Sequence, residues 1–244
     1  MNDLHSSVSD ALRRRKPRLT DTDYLVLRGL WNCISKVRTT LVRKGHRVLD
    51  FGCGSMPFRM DFEGAGCEYV GADFGPGHDL QISDEGCLPA DLPFFDGLVS
   101  FQVLEHVQDL DRYFAEANRA LLPNGWMILS THGTWLYHPH PGDYRRWTRQ
   151  GLWHEIESRG FHVVDILPVL GPLAWTTVLR LTGYAWALRK IPIVGGTLSK
   201  CLGLTMNVRA MIEDYVTPPA FRETNACVYV AVCRRTASGK QDHE

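Results

Sequence analysis

The chain has no surplus of either charge: 27 Lys and Arg stand against 27 Asp and Glu in 244 residues. A surface without a net field does not gather polyanions, so nucleic acid is not expected as a partner. The one basic run, Arg13-Arg14-Arg15-Lys16, lies in a polar N-terminal stretch and reads as a solvated tail, with a weak phosphate or anionic-lipid anchor as its minor reading. No C-x-x-C pair occurs among the seven cysteines, Cys33, Cys53, Cys67, Cys87, Cys201, Cys227 and Cys233. Neither a structural zinc nor a disulfide framework follows from such scatter, and reduced thiols are expected. No apolar h-region opens the first thirty residues, so a cytoplasmic protein is expected. Long apolar runs are also missing. The longest uncharged run of the apolar C-terminal part, Ile166 to Leu179, is too short for a bilayer and is interrupted by Pro168, Gly171 and Pro172.

What is present is an ordinary globular composition, 44% hydrophobic and 22% charged, at a length that suits one large domain. Residues 1–20 read as a mobile tail, 21–235 as one domain, and 236–244 as a second tail. From about 21 to 44 apolar residues recur at helical spacing (Tyr24, Leu27, Leu30, Trp31, Ile34, Val37, Leu41), with Thr20 or Asp21 as a cap and Gly45 as a stop. Strands are predicted at 47–51, 68–73, 97–101, 125–130, 161–167 and 225–235. Helices are predicted after Met56, at 105–121 and at 148–159. Such alternation gives βαβ units and a mainly parallel sheet covered on both faces.

Ligands of such sheets sit beyond the carboxyl ends of the strands, so the turn VLDFGCGSMPFR, 48–59, is the place to look. Gly52 and Gly54 let a ligand approach the backbone. The third glycine of the dinucleotide fingerprint is absent, Pro57 standing in its place, which argues against NAD. Asp73 ends the next strand, where a carboxylate accepts from ribose hydroxyls. Asp84 follows four residues before Leu88-Pro89.

Taken in order, VLDFGCGS, VGAD, DEGCLP, FDGLVSFQVLEHV and LLPNGWMILS resemble the class I S-adenosylmethionine-dependent methyltransferases over about residues 45–165. The resemblance implies an α/β, Rossmann-like seven-stranded sheet with its last strand antiparallel. It implies S-adenosylmethionine as the methyl donor and S-adenosylhomocysteine as its product. Asp50, Gly52 and Gly54 would hold the methionine part and Asp73 the ribose. Asp84 would accept from the adenine amino group, Glu85 or Gly86 would give a backbone contact, and Phe74 would flank the ring. Gln102 would lie near the transferable methyl. Glu105 and His106 open the next helix as acceptor-side candidates, although Glu105 there also suits the helix dipole.

The acceptor loop is THGTWLYHPHPGDYRRWT, 131–148, in which Pro139, Pro141 and Gly142 forbid a regular helix. Histidine titrates near neutrality, so His132, His138 and His140 suit removal of a hydroxyl proton, and Asp143 suits the same task or the orienting of an imidazole. Trp135 and Tyr144 suit stacking on a sugar or another ring, and Arg145 and Arg146 suit phosphate or carboxylate. Tyr144, Arg145, Arg146 and Trp147 equally suit docking the loop on the body. A metal is not expected; His138, His140 and Asp143 are the one set that leaves Mg²⁺ or a similar ion open. The H-P-x-P-x-D-Y-x-R-W-T pattern and the apolar insertion that follows look like methyltransferases of bacterial polysaccharide and glycolipid assembly. This implies a saccharide acceptor, free or lipid-linked.

Residues of about 168–222 form that helical insertion before the last strand. It reads first as a cap on the acceptor cleft or a homodimer surface, and second as a peripheral contact with the inner membrane. The expectation is a methyltransferase acting on a sugar or glycan hydroxyl. Its rivals are methylation of a quinone, lipid or natural-product ring, and a scaffold that binds cofactor without catalysis.

Overall fold

The computed structural model describes residues 10–139 and 142–236. Residues 10–15 are helical (α1), followed by α2 (Tyr24–Leu41), β1 (Arg47–Phe51), α3 (Arg59–Glu63), β2 (Glu68–Phe74), β3 (Leu80–Ile82) and β4 (Phe95–Phe101). A 3-10 turn (Leu104–His106) leads to α4 (Leu110–Ala120), β5 (Leu121–His132), α5 (Arg149–Glu157) and β6 (Phe161–Val169). Helices α6 (Pro172–Leu188), α7 (Gly195–Val216) and α8 (Pro219–Thr224) precede β7 (Val228–Arg235). The seven strands make one sheet in the order β3-β2-β1-β4-β5-β7-β6. The first five run parallel, and β7 lies antiparallel between β5 and β6.

Alternation along the central strands divides the core. Leu49, Leu98 and Leu129 point to one face, where Phe114 of α4 and Leu152 of α5 cover them. Val48, Val99 and Ile128 point to the other, where Ile34 of α2 and Trp175 of α6 cover them. Both faces are apolar because both are buried, as a central parallel sheet requires.

Three sequence expectations change. The helix predicted over 105–121 is split: the 3-10 turn ends at His106 with an extended Val107, and Asp109 caps a new helix, α4, by accepting from Arg112 N at 3.0 Å. Neither Thr20 nor Asp21 caps α2. Asp23 holds the cap position, and its carboxylate is instead drawn to Arg13 at 2.9 Å. Residues 10–20 are no solvated tail: Arg15 pairs with Asp61 at 3.0 Å, and Asn207 of α7 donates to the Leu19 and Asp21 carbonyls at 2.8 Å. Residues 1–9 and 237–244, the rest of the expected tails, lie outside the described residues. The three-residue β3 carried no periodic signal, since a strand that short has no room for one.

The insertion is an antiparallel helical hairpin, α6 against α7, followed by α8. Thr177 donates to Glu213 across it, and Asp214 accepts from Gly171 N at 2.7 Å at its base. Among the described residues no helix is long and apolar enough to cross a membrane.

Candidate active site

The chain leaves β1 through Gly52 (φ +83°) and Gly54 (φ +50°). At Gly52 a Cβ would meet Val103 Cγ2 at 2.6 Å, so the turn and the loop after β4 approach as closely as bare backbone allows. The ends of β1, β2 and β4 thereby open a cleft of about 590 Å³. Its walls are Gly52, Phe74, Ile82, Val103 and Tyr113, and Asp84, Glu85, His106 and Arg112 supply polar groups. That volume is in the range of small-ligand sites.

Asp73 braces the turn. Its carboxylate accepts from Gly54 N at 2.6 Å and Phe74 N at 2.7 Å, which fixes it at the β2 end beside the cleft. Phe74 is half exposed on the wall, and Asp84 and Glu85 are exposed at the rim. A nucleoside fits these groups: Phe74 and Ile82 give apolar surface to a flat base, and carboxylates lie where hydroxyl and amino donors need acceptors. Asp50 is placed differently from its neighbours. It is sealed under the turn, where Tyr69 donates its hydroxyl to the Asp50 carboxylate. Burial pushes the Asp50 carboxyl up to about 7, the Tyr69 bond opposing the rise. Gln102, held at φ +58°, turns its amide onto Ser130 Oγ at 3.0 Å and is not part of the cleft wall.

A second cluster adjoins the cleft through His106, which packs edge to face on His138 with ring centroids 4.9 Å apart. His138 meets His132 in the same manner at 4.8 Å. His132 Nδ1 lies 3.0 Å from Glu105 Oε1, off the line of a good hydrogen bond, and Thr131 donates to Glu105 Oε2 at 2.8 Å. Burial alone would raise the Glu105 carboxyl, but His132, Thr131 and its own backbone N–H outweigh it and hold it below the ordinary range. His138 is lowered by burial first and then by His132 and His106 beside it. One ligand atom from each of Glu105, His132 and His138 falls within 4.8 Å of the others, a spacing a divalent cation could bridge.

Several expected roles are reassigned. Trp135 was expected to stack on an acceptor, yet both its faces are taken, by His132 and by Trp175, each with centroids 4.8 Å away. Arg145 donates to the Val107 and Gln108 carbonyls, and Arg146 donates to Asp143 and the Leu136 carbonyl, so both arginines dock the loop rather than bind an anion. Asp143 is not free to serve as a base. Arg146 foremost holds its carboxyl far below the usual range, and it also accepts from His138 N at 3.0 Å. Glu105 is fully buried and supports His132 instead of meeting an acceptor. Tyr144 remains half exposed on the cleft wall. His140 lies outside the described residues, and with it the expected metal set of His138, His140 and Asp143.

Thr131 and Val103 were missed. A signal for Thr131 existed, because Ser130, Thr131 and His132 put three polar residues in a row at the end of a buried strand. Buried polar groups demand partners, and these find Gln102, Glu105 and one another's loops. Nothing local marks Val103 as the residue that Gly52 must accommodate.

The family described as "Methyltransferase domain" matches residues 26–183. A ubiquinone biosynthesis O-methyltransferase of Azorhizobium caulinodans is 31% identical over 103 residues, 36% of this chain and 41% of that protein. A probable S-adenosylmethionine-dependent methyltransferase of Mycolicibacterium smegmatis is 28% identical over 143 residues, 51% of this chain and 55% of that protein. The chain thus covers about half the length of these curated relatives. Among solved structures the [4+2]-cyclase SpnF superposes with a TM-score of 0.54 at 15% identity, over 85% of this chain and 82% of its own. The mycolic acid cyclopropane synthase CmaA1, complexed with SAH and CTAB, gives 0.51 at 15% identity over 87% of each chain. These two show a shared fold.

Proposed function

The chain belongs to the methyltransferase domain family, and from that premise we propose that it transfers the methyl group of S-adenosylmethionine to a hydroxyl oxygen of an uncharged small acceptor, a sugar or glycan first. The observation that carries the reading is the His138 imidazole beside the cleft, backed by the buried Glu105–His132 pair. When bound, S-adenosylmethionine would supply an electrophilic methyl on a sulfonium, its carbon–sulfur bond breaking to leave the neutral thioether S-adenosylhomocysteine as the acceptor oxygen bonds to that carbon and loses its proton.

The chain's own contributions follow from the geometry. Gly52 and Gly54 keep the turn open to the donor, and Asp73, Phe74 and Asp84 hold its nucleoside. His132 is sealed, at 2% exposure, whereas the His138 side chain keeps 30%. His138 is therefore the nitrogen an incoming acceptor can meet. Its Nδ1 is buried, 3.6 Å from Asp143, which leaves Nε2 to take the proton. Burial keeps it neutral and ready at neutral pH, and the Glu105 charge stabilises the imidazolium that forms. Such a base contributes about 10²–10⁴-fold.

An uncharged acceptor is favoured because Arg145 and Arg146 are spent on the loop itself. A phenolic ring hydroxyl is the second reading. The O-methyltransferase relatives favour it, as does the apolar cleft wall of Phe74, Ile82 and Val103. The test is product mass after incubation with donor and a panel of sugars, glycolipids and phenols, alongside calorimetry with S-adenosylhomocysteine. Asp73→Ala should weaken that affinity by about 1.5–3 kcal/mol, the cost of lost charge-assisted hydrogen bonds. Unchanged affinity removes Asp73 from the site, and transfer only to amines or carbon removes the O-methyl reading.

A further inference from the structure

We propose that the tip of the α6–α7 hairpin docks on an anionic lipid surface. From Ile166 to Ile212 the chain contains no Asp or Glu but carries Arg180, Arg189, Lys190, Lys200 and Arg209. Arg209 is paired with Glu213 at 2.8 Å, whereas Arg189, Lys190 and Lys200 meet no carboxylate among the described residues. Arg189 and Lys190 lie in the turn between the helices, and Lys200 follows on the second turn of α7.

The turn itself is apolar and presented outward. Ile193 is 100% exposed, and Trp186, Ile191 and Val194 beside it are exposed as well. This is a built turn and not a slack loop: Ile193 sits at φ +64°, Val194 N donates to Pro192 O at 2.7 Å, and Gly195 N donates to Ile191 O at 3.2 Å. A Cβ on Gly195 would strike Leu188 O at 2.1 Å, so the helices meet too closely there for any larger residue. Holding a β-branched residue at positive φ and fully in water is costly on both counts, and insertion among acyl chains offsets the second. Lys190 Nζ lies 3.4 Å over the Trp186 ring, which places an indole and an ammonium together at the level where lipid headgroups begin.

Charge selects the occupant. A second copy would bring the same unpaired cations tip to tip, and like charges repel. A surface of anionic lipid offers both the negative field and the apolar depth that a protruding tip of this kind needs. The proposal does not depend on the acceptor. Trp175 near the start of α6 stacks on Trp135 beside His132, and the helix carries the tip about 20 Å from there. The docked surface would thus lie within one helix length of the site.

Flotation of the full chain with vesicles tests it. Vesicles of equal parts phosphatidylcholine and phosphatidylglycerol should carry the protein up, and pure phosphatidylcholine should carry at least tenfold less. Ile193→Glu and Lys190→Glu should each lose at least tenfold of the anionic binding while S-adenosylhomocysteine affinity, read by calorimetry, stays unchanged. Raised salt should weaken binding by screening. Failure of the native protein to float with anionic vesicles overturns the proposal. So does flotation of Ile193→Glu equal to the native protein, or light scattering that shows a dimer made monomeric by Ile193→Glu with no vesicle binding.

Discussion

His132 Nδ1 stands 3.0 Å from Glu105 Oε1, and both side chains are closed off from solvent. The pair joins the end of β5 to the 3-10 turn after β4. A buried carboxylate this close to an imidazole is held in place by what it stabilises. Glu105→Gln keeps the shape and removes the charge. Turnover should fall by about 10–10²-fold, less than the full 10²–10⁴-fold of a positioned base because His138 itself remains, with donor affinity unchanged in calorimetry. Native turnover in the variant would detach the pair from the chemistry.

With His138 as the proposed base, the pH–rate profile should report its imidazole. Its ordinary value is 6.5, and burial moves it lower. Only the neutral imidazole takes a proton, so turnover should stay flat through neutrality and drop on the acid side, with its midpoint below 6.5. Glu105→Gln removes a charge that opposes the lowering, so the acid limb should move to still lower pH. His138→Ala should abolish the limb together with about 10²-fold or more of turnover. An unaltered limb in His138→Ala would assign it to another group.

Asp50 makes stability depend on pH in the opposite sense from most carboxylates. Its ordinary value of 3.8 applies to the unfolded chain, and about 7 to the folded one. Between those values the native state binds a proton that the unfolded state releases, so stability falls as pH rises across the window. The loss reaches up to about 4 kcal/mol, three units at about 1.4 kcal/mol each. Asp50→Asn should flatten that slope in urea denaturation between pH 4.5 and 8. An identical slope in the variant would show that Asp50 is ionised in the native state throughout.

The sheet was legible because its strands are buried on both faces and separated by helices with clear periodicity. The position of Asp73, Gly52 and Gly54 beside the cleft was legible because they follow or end predicted strands. The acceptor loop was legible only as a composition. Which of His132, His138, Trp135, Arg145 and Arg146 face an acceptor depends on partners far away in sequence: Trp175, Glu105 and the Val107 and Gln108 carbonyls. Spacing within the loop says nothing of these, so side chains that looked free to bind proved to be spent on one another. The hairpin was legible as an apolar insertion, while the turn at Ile193 and Val194 was hidden because its exposure arises only when two helices fold back.

The place of β7 governs the order in which this molecule can be assembled. β7 follows every other strand in the chain, yet it lies inside the sheet, and β6 has no other strand beside it. Until residues 228–235 arrive, β5 and β6 present two open edges, each a row of unmet donors and acceptors that invites pairing between chains. Their closure joins positions as remote as Leu129 and Ala231, a slow step for a polypeptide. The acceptor loop waits on the same event, because Gly133 N and Thr134 N donate to Cys227 O and His132 pairs with Val228. The histidines beside the cleft are therefore among the last groups to reach their positions, and a chain cut short before β7 loses that cluster and its protection from aggregation together.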